Sequence, residues 1–170
     1  MSNSSWIWQL RQVLESLAVQ NKRLPRVALV GIGNELNGDD GAGVMVARLV
    51  GRSDVQMNWL VIDAGPAPES FTGPLRKFQP DQVVFIDAAE MGEPEGTTAL
   101  LEWQAMDGLS ASTHSLPPTV LAKYLIHELG CQIAMIGIQP QQLELGRPLS
   151  PAVQKSVLEV AGYLSELITS

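Results

Sequence analysis

The order of short apolar segments along the chain constrains its fold more than any other feature. Val27–Ile32 is a continuous apolar run, and comparable runs occupy residues 59–62, 83–86 and 133–138. Runs of this length that are rich in β-branched residues are typical of strands buried on both faces. Parallel strands require long crossover connections, and the segments between these runs are long enough to provide them. The sequence therefore predicts a mostly parallel sheet.

Helical periodicity in the intervening segments indicates how this sheet is covered. Apolar residues at spacings of three and four predict an N-terminal helix within residues 1–24, and helical spacing returns at 42–49 and 117–129. Ser150 and Pro151 are typical of the cap and the first position of a final helix. Helices that alternate with parallel strands cover both faces of their sheet. We expect a three-layer α/β/α sandwich with an open sheet, phosphorylase/hydrolase-like or flavodoxin-like in type.

Residues 97–103 follow the third apolar run through a turn that contains glycine and proline instead of a helix. A strand formed there would be an antiparallel edge strand, because a short connection does not permit parallel pairing. A length of 170 residues is typical of one domain. We therefore expect a single domain over residues 1–170, with the N-terminal helix at 1–24 and the α/β core at 26–168.

Charge and cysteine content argue against several classes of partner. The formal net charge of −7 is unfavourable for binding the phosphates of nucleic acid. Cys131 is the only cysteine, which suits a reducing, cytoplasmic compartment. Residues 1–10 lack the features of a signal peptide, and no apolar stretch approaches the ~20 residues that a membrane span needs. We expect a cytoplasmic monomer that binds neither nucleic acid nor membrane.

Two acidic residues follow apolar runs in positions that this topology would bring together. Asp40 lies in the loop after the first run, and Asp87 directly follows residues 83–86. Ligands of open α/β sheets bind beyond the carboxyl ends of the strands, and in the common 2-1-3 order these two ends are neighbours. The two carboxylates are then expected to share one crevice. The alternative for Asp87 is that it caps a following helix.

The tandem Asp39-Asp40 allows a division of roles. A helix that begins near Gly41 needs a side-chain acceptor for its free amide groups, and Asp39 is expected to supply it. Asp40 would then face the crevice. Two solvated loop carboxylates are the alternative.

Residues 31–38 form a glycine-rich stretch after a strand, as a nucleotide-binding loop would. A dinucleotide fingerprint requires a third glycine where this chain has Leu36, and the Gly-Lys-Ser/Thr of a P-loop is missing. Neighbouring carboxylates would also repel phosphate. Nucleotide or flavin binding is therefore the less favoured interpretation.

His114 lies in a polar loop that ends at two prolines, and loops of this kind often carry function. His127 lies in a predicted helix and needs no chemical role. Asp40, Asp87 and His114 would offer two oxygens and one nitrogen to a divalent metal, and nickel and zinc both accept such a set. Cys131 opens a predicted buried strand, where a thiol is more often a core residue than a nucleophile.

Three segments, taken in order, resemble the hydrogenase maturation protease family. Residues 31–43 (GIGNELNGDDGAG) are similar to the family's Gly-x-Gly-Asn opening, followed by Asp and then Asp or Glu before a glycine. Residues 84–92 (VFIDAAEMG) are similar to its strand ending in Asp-Ala, and residues 112–117 (STHSLP) to its Thr-His loop. The resemblance extends over nearly the whole chain from about Arg26 onward and covers the N-terminal helix less well.

The resemblance implies a function and a set of ligands. It implies an endopeptidase, aspartic-type by family classification, that removes the C-terminal tail of a nickel-loaded large-subunit precursor of a nickel-iron hydrogenase. The family's metal ligands fall on Asp40, Asp87 and His114, and Asp40 and Asp87 are the implied catalytic residues. Nickel belongs to the precursor in this scheme, and zinc or cadmium could replace it in vitro. A protein that senses nickel in the precursor without cutting is the alternative.

Two departures from the family pattern narrow the resemblance. Many members carry Gly-Thr after the second strand, whereas residues 63–69 read DAGPAPE, which resembles the branch serving formate hydrogenlyase and related membrane-bound hydrogenases. Many relatives carry Glu at the position of Asp40, and a carboxylate shorter by one methylene has a different reach. Either nickel or a carboxylate could activate the attacking water.

Overall fold

A five-stranded sheet forms the centre of the computed structural model, which describes residues 5–111 and 116–170. The strands are β1 (Val27–Ile32), β2 (Trp59–Gly65), β3 (Gln82–Ala88), β4 (Thr98–Glu102) and β5 (Gln132–Ile138), in the order β2-β1-β3-β5-β4. Neighbouring strands are parallel except for β4, which pairs antiparallel with β5 at the edge. The mostly parallel sheet, the 2-1-3 order and the antiparallel edge strand are confirmed.

Helices cover both faces of this sheet. They are α1 (Ser5–Asn21), α2 (Ala42–Val50), α3 (Thr72–Phe78), α4 (Met106–Leu109), α5 (Pro118–Leu129) and α6 (Pro151–Thr169), with 3₁₀ turns at Gly38–Gly41, Pro68–Phe71 and Trp103–Ala105. One apolar cluster joins α1, α2 and α6 to one face, and a second joins α3, α4 and α5 to the other. The three-layer α/β/α sandwich predicted from the sequence is therefore confirmed. In the described part of the chain, no helix combines the length and hydropathy of a membrane span.

The central strands β1 and β3 are buried along their whole length. Leu29 and Ile86 pack towards α1, α2 and α6, while Val30 and Phe85 pack towards α3, α4 and α5. Fully burying one aliphatic or aromatic side chain of this size contributes about 1.5–3 kcal/mol. The ends of β1 and β3 are thus held by a core on both faces.

Helix α2 packs directly against the backbone of β1 and β3. A Cβ at Gly43 would lie 1.9 Å from the carbonyl oxygen of Ile86 and 2.5 Å from that of Ile32. A Cβ at Gly31 would lie 2.3 Å from the carbonyl oxygen of Gly43. These glycines let α2 begin against the ends of two strands, so the glycine-rich stretch has a packing role that requires no nucleotide.

Gly43→Ala is expected to lower the free energy of unfolding by roughly 2–4 kcal/mol, because the new Cβ would overlap two carbonyl oxygens fixed in the sheet. Gly162→Ala is the control, since Gly162 lies inside α6 with no heavy atom within 4 Å of a Cβ. In this control the free energy of unfolding should rise by about 0.5–1 kcal/mol, because alanine is more favourable than glycine inside a helix. Urea unfolding followed by circular dichroism measures both. A Gly43→Ala protein as stable as the wild type would contradict this packing.

Candidate active site

The carboxyl ends of β1 and β3 lie side by side at one edge of the sheet. Gly31 of β1 is the register partner of Ile86 in β3, and the two strands are parallel. Asp87 is the next residue of β3, while Gly33 and Asn34 follow the end of β1. Residues that adjoin these two strand ends therefore share one edge, where open α/β sheets bind their ligands.

Asp40 lies in the 3₁₀ turn Gly38–Gly41, which folds back against the end of β1. Its Oδ2 accepts a hydrogen bond of 3.0 Å from the backbone N–H of Asn34, and the residue is only 5% exposed. Gly33 has a φ of +134°, and a Cβ there would lie 1.8 Å from the carbonyl oxygen of Asp40. Glycine at this position permits both the turn and the close approach of Asp40.

Asp87 lies within β3 and not after it, because β3 continues to Ala88. Its side chain is 1% exposed, and its Oδ2 accepts a hydrogen bond of 2.7 Å from Ser110 Oγ. The next element along the chain is β4, not a helix, so the helix-cap interpretation of Asp87 is wrong. The buried carboxylate is instead stabilised by a hydroxyl donor from another segment.

The segment that carries Ser110 runs alongside the end of β3. Ser110 forms an isolated antiparallel bridge with Ala89, and the N–H of Ala111 donates to the carbonyl oxygen of Ala88 at 3.0 Å. His114 lies outside the described residues, three positions further along the chain. Among the residues that the structure does describe, no group of three or more His, Cys, Asp or Glu side chains could hold a metal.

Asp39 does not cap α2, contrary to the sequence-based prediction. The cap position of α2 is Gly41, and no side chain caps its first turn. The buried Asp39 carboxylate accepts hydrogen bonds from the backbone N–H groups of Gln141 and Gln142 at 2.8 and 2.9 Å. It also accepts from the N–H and the hydroxyl of Ser150, at 2.6 and 2.8 Å. Four donors make this site more favourable for a buried carboxylate than a single helix cap.

The hydrogen bonds to Asp39 give Ser150 a different role from the helix cap predicted by the sequence. It occupies the residue before Pro151, where α6 begins, as the sequence predicts. Its side chain makes no cap hydrogen bond to the helix and donates to Asp39 instead. Asp39 thus fixes the turn that contains Asp40 to the start of α6.

Arg48 of α2 neutralises two further acidic residues near this edge. Its Nε donates to Asp63 Oδ2 at 2.7 Å, and its other guanidinium nitrogens donate to both oxygens of Glu35. Hydrogen bonding to Arg48 lowers the pKa of Glu35, and hydrogen bonds to Glu35 and Asp63 raise the pKa of Arg48. The loop after β1, helix α2 and the end of β2 are therefore joined by one ion-pair network.

Two other residues with potentially reactive side chains, Cys131 and His127, are not part of this site. Cys131 is 4% exposed, and burial raises the pKa of its thiol to about 11. A thiol that remains protonated at neutral pH is not a nucleophile, so the prediction of a core cysteine is confirmed. The side chain of His127 is 86% exposed on α5 beside Glu128, as expected for a histidine without a chemical role.

Asp39→Asn is expected to lower the free energy of unfolding by about 2–4 kcal/mol. The NH₂ group that replaces one carboxylate oxygen is itself a donor, so the backbone N–H groups that now bond to that oxygen would lose their acceptor. Asp54→Asn is the control, since Asp54 is an exposed acid. The free energy of unfolding of this control should change by no more than about 0.5 kcal/mol. Chemical denaturation of both variants measures the difference. Equal stability of the two variants would show that Asp39 does not hold the segments together.

Comparison with known protein sequences identifies the family. The family model described as HycI, hydrogenase maturation protease, matches residues 44–166. A protein of Methanocaldococcus jannaschii named as a hydrogenase maturation protease is 31% identical, over 91% of this chain and 95% of its own length. The hydrogenase 3 maturation protease of Escherichia coli is 29% identical, over 76% of this chain and 82% of its own.

Solved structures of proteins in this family share the fold. The crystal structure of a nickel-iron hydrogenase maturation protease, HycI from Thermococcus kodakarensis, has a TM-score of 0.79 and 32% identity, over 86% of this chain and 94% of that one. The solution structure of the endopeptidase HycI from Escherichia coli has a TM-score of 0.73 and 28% identity, over 82% and 89% of the two chains. Sequence and structure comparisons thus agree, and the chain belongs to the hydrogenase maturation protease family.

Proposed function

We propose that this chain is an endopeptidase that removes the C-terminal tail from the large-subunit precursor of a nickel-iron hydrogenase after nickel has been inserted. Membership of the family supports the peptidase chemistry, and the names of the relatives support the substrate. The observation that carries the proposal is a pair of buried carboxylates beside the carboxyl ends of neighbouring parallel strands: Asp87 in β3, and Asp40 in the turn that folds back against the end of β1.

These carboxylates are suited to recognise a divalent metal that arrives with the precursor. Carboxylate oxygens and an imidazole nitrogen form a set that nickel accepts, and zinc or cadmium could replace nickel in vitro. We propose His114 as the third ligand. The bond from Ala111 to Ala88 supports this role, because it fixes the chain beside the end of β3 only three residues before His114, and three residues span at most about 10 Å. Nickel is then part of the substrate and not a resident cofactor.

The hydrolytic step needs a base for the attacking water. We assign this role to the Asp40 and Asp87 pair, an aspartic-type scheme in which one carboxylate takes a proton as the water oxygen bonds to the scissile carbonyl carbon. The carbon–nitrogen bond then breaks, and the proton passes to the nitrogen of the leaving tail. Hydrogen bonds from the Asn34 N–H and the Ser110 hydroxyl orient the two carboxylates. The nickel of the precursor anchors the tail near them.

The proposal extends to the hydrogenase that is served. We assign the chain to the branch that processes hydrogenases of the formate-hydrogenlyase type, because residues 63–69 read DAGPAPE, which resembles that branch. A monomeric state, a cytoplasmic location and a single domain over residues 1–170 stay predictions.

Mass spectrometry of the precursor tests this function. Purified wild-type protein is mixed with nickel-loaded and nickel-free large-subunit precursors, and the masses of the products are compared. We expect the loaded precursor alone to lose a defined C-terminal peptide. Binding of the loaded precursor without any loss of mass would contradict the proposal and favour a nickel-sensing protein that does not cut.

Asp40→Asn and Asp87→Asn are each expected to slow processing by at least about 100-fold, because an amide neither accepts a proton from water nor supplies negative charge to a metal. Asp63→Asn is the matched control: Asp63 lies on the neighbouring strand β2, but its carboxylate pairs with Arg48. This control should process at close to the wild-type rate. Circular dichroism checks that all three variants are folded. Normal processing by Asp87→Asn would remove Asp87 from the site.

His114→Ala is expected to weaken the binding of free zinc at least tenfold. Removing even a residue that only supports a metal ligand typically lowers metal affinity by about 10–100-fold. His127→Ala is the matched control, because the side chain of His127 is 86% exposed on α5. Isothermal titration calorimetry of the two variants and the wild type measures the affinities. If both histidine variants bound zinc like the wild type, the site would consist of two carboxylates without His114.

A further inference from the structure

Two exposed leucines lie together in the loops at the carboxyl edge of the sheet. Leu36 follows β1 and is 62% exposed, and Leu145 follows β5 and is 78% exposed. Both line a groove of about 340 Å³, together with Glu35, Arg147 and Pro148. The other large apolar side chains that are exposed in the described part of the chain lie on helices or at the amino edge of the sheet. The two leucines are thus the apolar surface that these loops present to solvent.

Backbone hydrogen bonds hold the two loops in place. The N–H of Gly146 donates to the carbonyl oxygen of Leu36 at 2.7 Å, and the N–H of Leu36 donates to Asn34 Oδ1 at 3.0 Å. Gly146 has a φ of +80°, which glycine adopts without strain. Because the backbone around both leucines is already ordered, covering them with a partner costs less conformational entropy than it would on a flexible loop.

The groove continues to the turn that contains Asp40. Glu35 also lines an adjoining cavity of about 160 Å³, and Gly38 and Gly41, the two ends of that turn, line it as well. Asn34, whose N–H binds Asp40, is the residue before Glu35. A peptide whose scissile bond lies at the two carboxylates extends beyond them across the loops of this edge. The groove therefore lies where such a peptide enters or leaves the site.

One cation determines the charge that a partner meets in the groove. Glu35 is neutralised, because both of its carboxylate oxygens accept hydrogen bonds from Arg48. Arg147 is exposed, and its guanidinium group makes no hydrogen bond or ion pair within the described part of the chain. A complementary partner has an apolar side chain for the leucines and a carboxylate for Arg147.

The size of this surface favours a short peptide segment over a second folded copy of the chain. Cavities of about 340 and 160 Å³ hold a few side chains. A stable interface between two globular chains buries roughly 1,200–2,000 Å². Two leucines and one arginine supply only a small part of such an area.

We propose that this groove docks the large-subunit precursor, through a segment next to the cleavage site that carries an apolar and an acidic side chain. The apolar side chain packs between Leu36 and Leu145, and the acidic one pairs with Arg147. This inference rests on the proposed function, since it takes the precursor as the substrate. The docking contacts involve no nickel, so they add affinity that the metal site does not supply.

Binding of the nickel-free precursor tests the groove apart from metal recognition and cleavage. Biolayer interferometry with immobilised full-length precursor measures the dissociation constants of the wild type and the variants. We expect the wild type to bind with a dissociation constant on the order of 10 μM. Leu36→Ser and Leu145→Ser should each weaken binding about tenfold, because each removes apolar surface that becomes buried in the complex.

Charge reversal tests the acidic side chain of the partner. Arg147→Glu should weaken binding about tenfold at low salt and distinctly less at about 0.5 M salt, which screens exposed charges. The matched controls are Leu158→Ser, an exposed leucine on α6, and Arg52→Glu, an exposed arginine between α2 and β2. Both controls should bind with the wild-type affinity. All of these side chains are exposed, so every variant should keep the wild-type melting temperature.

The outcomes separate the groove from the peptidase function. Unchanged binding by Leu36→Ser and Leu145→Ser, or no binding of the nickel-free precursor by the wild type up to about 100 μM, would overturn the groove. A wild-type dimer in analytical ultracentrifugation that Leu36→Ser converts to a monomer would identify a second copy as the occupant and overturn it as well. Cleavage of the nickel-loaded precursor is measured in parallel. Cleavage with unchanged binding by the variants removes the groove alone, and groove-dependent binding without cleavage removes the peptidase function alone.

Discussion

The carboxylate of Asp39 connects the two segments from which the carboxyl edge of the sheet is built. It lies in the turn after β1, and its donors come from residues 141–150, which lead from β5 into α6. A buried carboxylate is strongly unfavourable without such donors, so the turn and the distant segment must fold onto each other. Asp40, the next residue, is thereby held against the end of β1.

Backbone contact supplies the second constraint at this edge. Gly43 brings the start of α2 against the ends of β1 and β3, and Gly33 lets the chain after β1 pass beneath the carbonyl group of Asp40. Any larger side chain would separate these segments, since the nearest atoms are backbone carbonyl oxygens of the strands and of the turn that contains Asp40. The two carboxylates therefore project from a framework with little freedom, which is the condition under which polar groups bind or react with specificity.

The sequence predicts the fold because strand and helix patterns are local, and β1 has the bounds that its apolar run indicates. β2 and β3 continue past their apolar runs because backbone pairing continues through Asp63 and Asp87, the polar residues at which each apolar run stops in the sequence. The prediction that Asp39 caps a helix is wrong because its actual donors lie more than 100 residues away along the chain, where no local pattern reveals them. The hydrogen bond from Ser110 to Asp87 likewise has no signal in the sequence.

The central claim is that Asp40 and Asp87 together face a metal at the carboxyl ends of β1 and β3. Anomalous X-ray diffraction from crystals of this chain grown with zinc, as a stand-in for nickel, measures this directly. The account predicts a zinc ion with carboxylate oxygens of both residues at about 2.0–2.2 Å. Zinc bound elsewhere, for example at His127 and Glu128, with neither Asp40 nor Asp87 among its ligands, would contradict it.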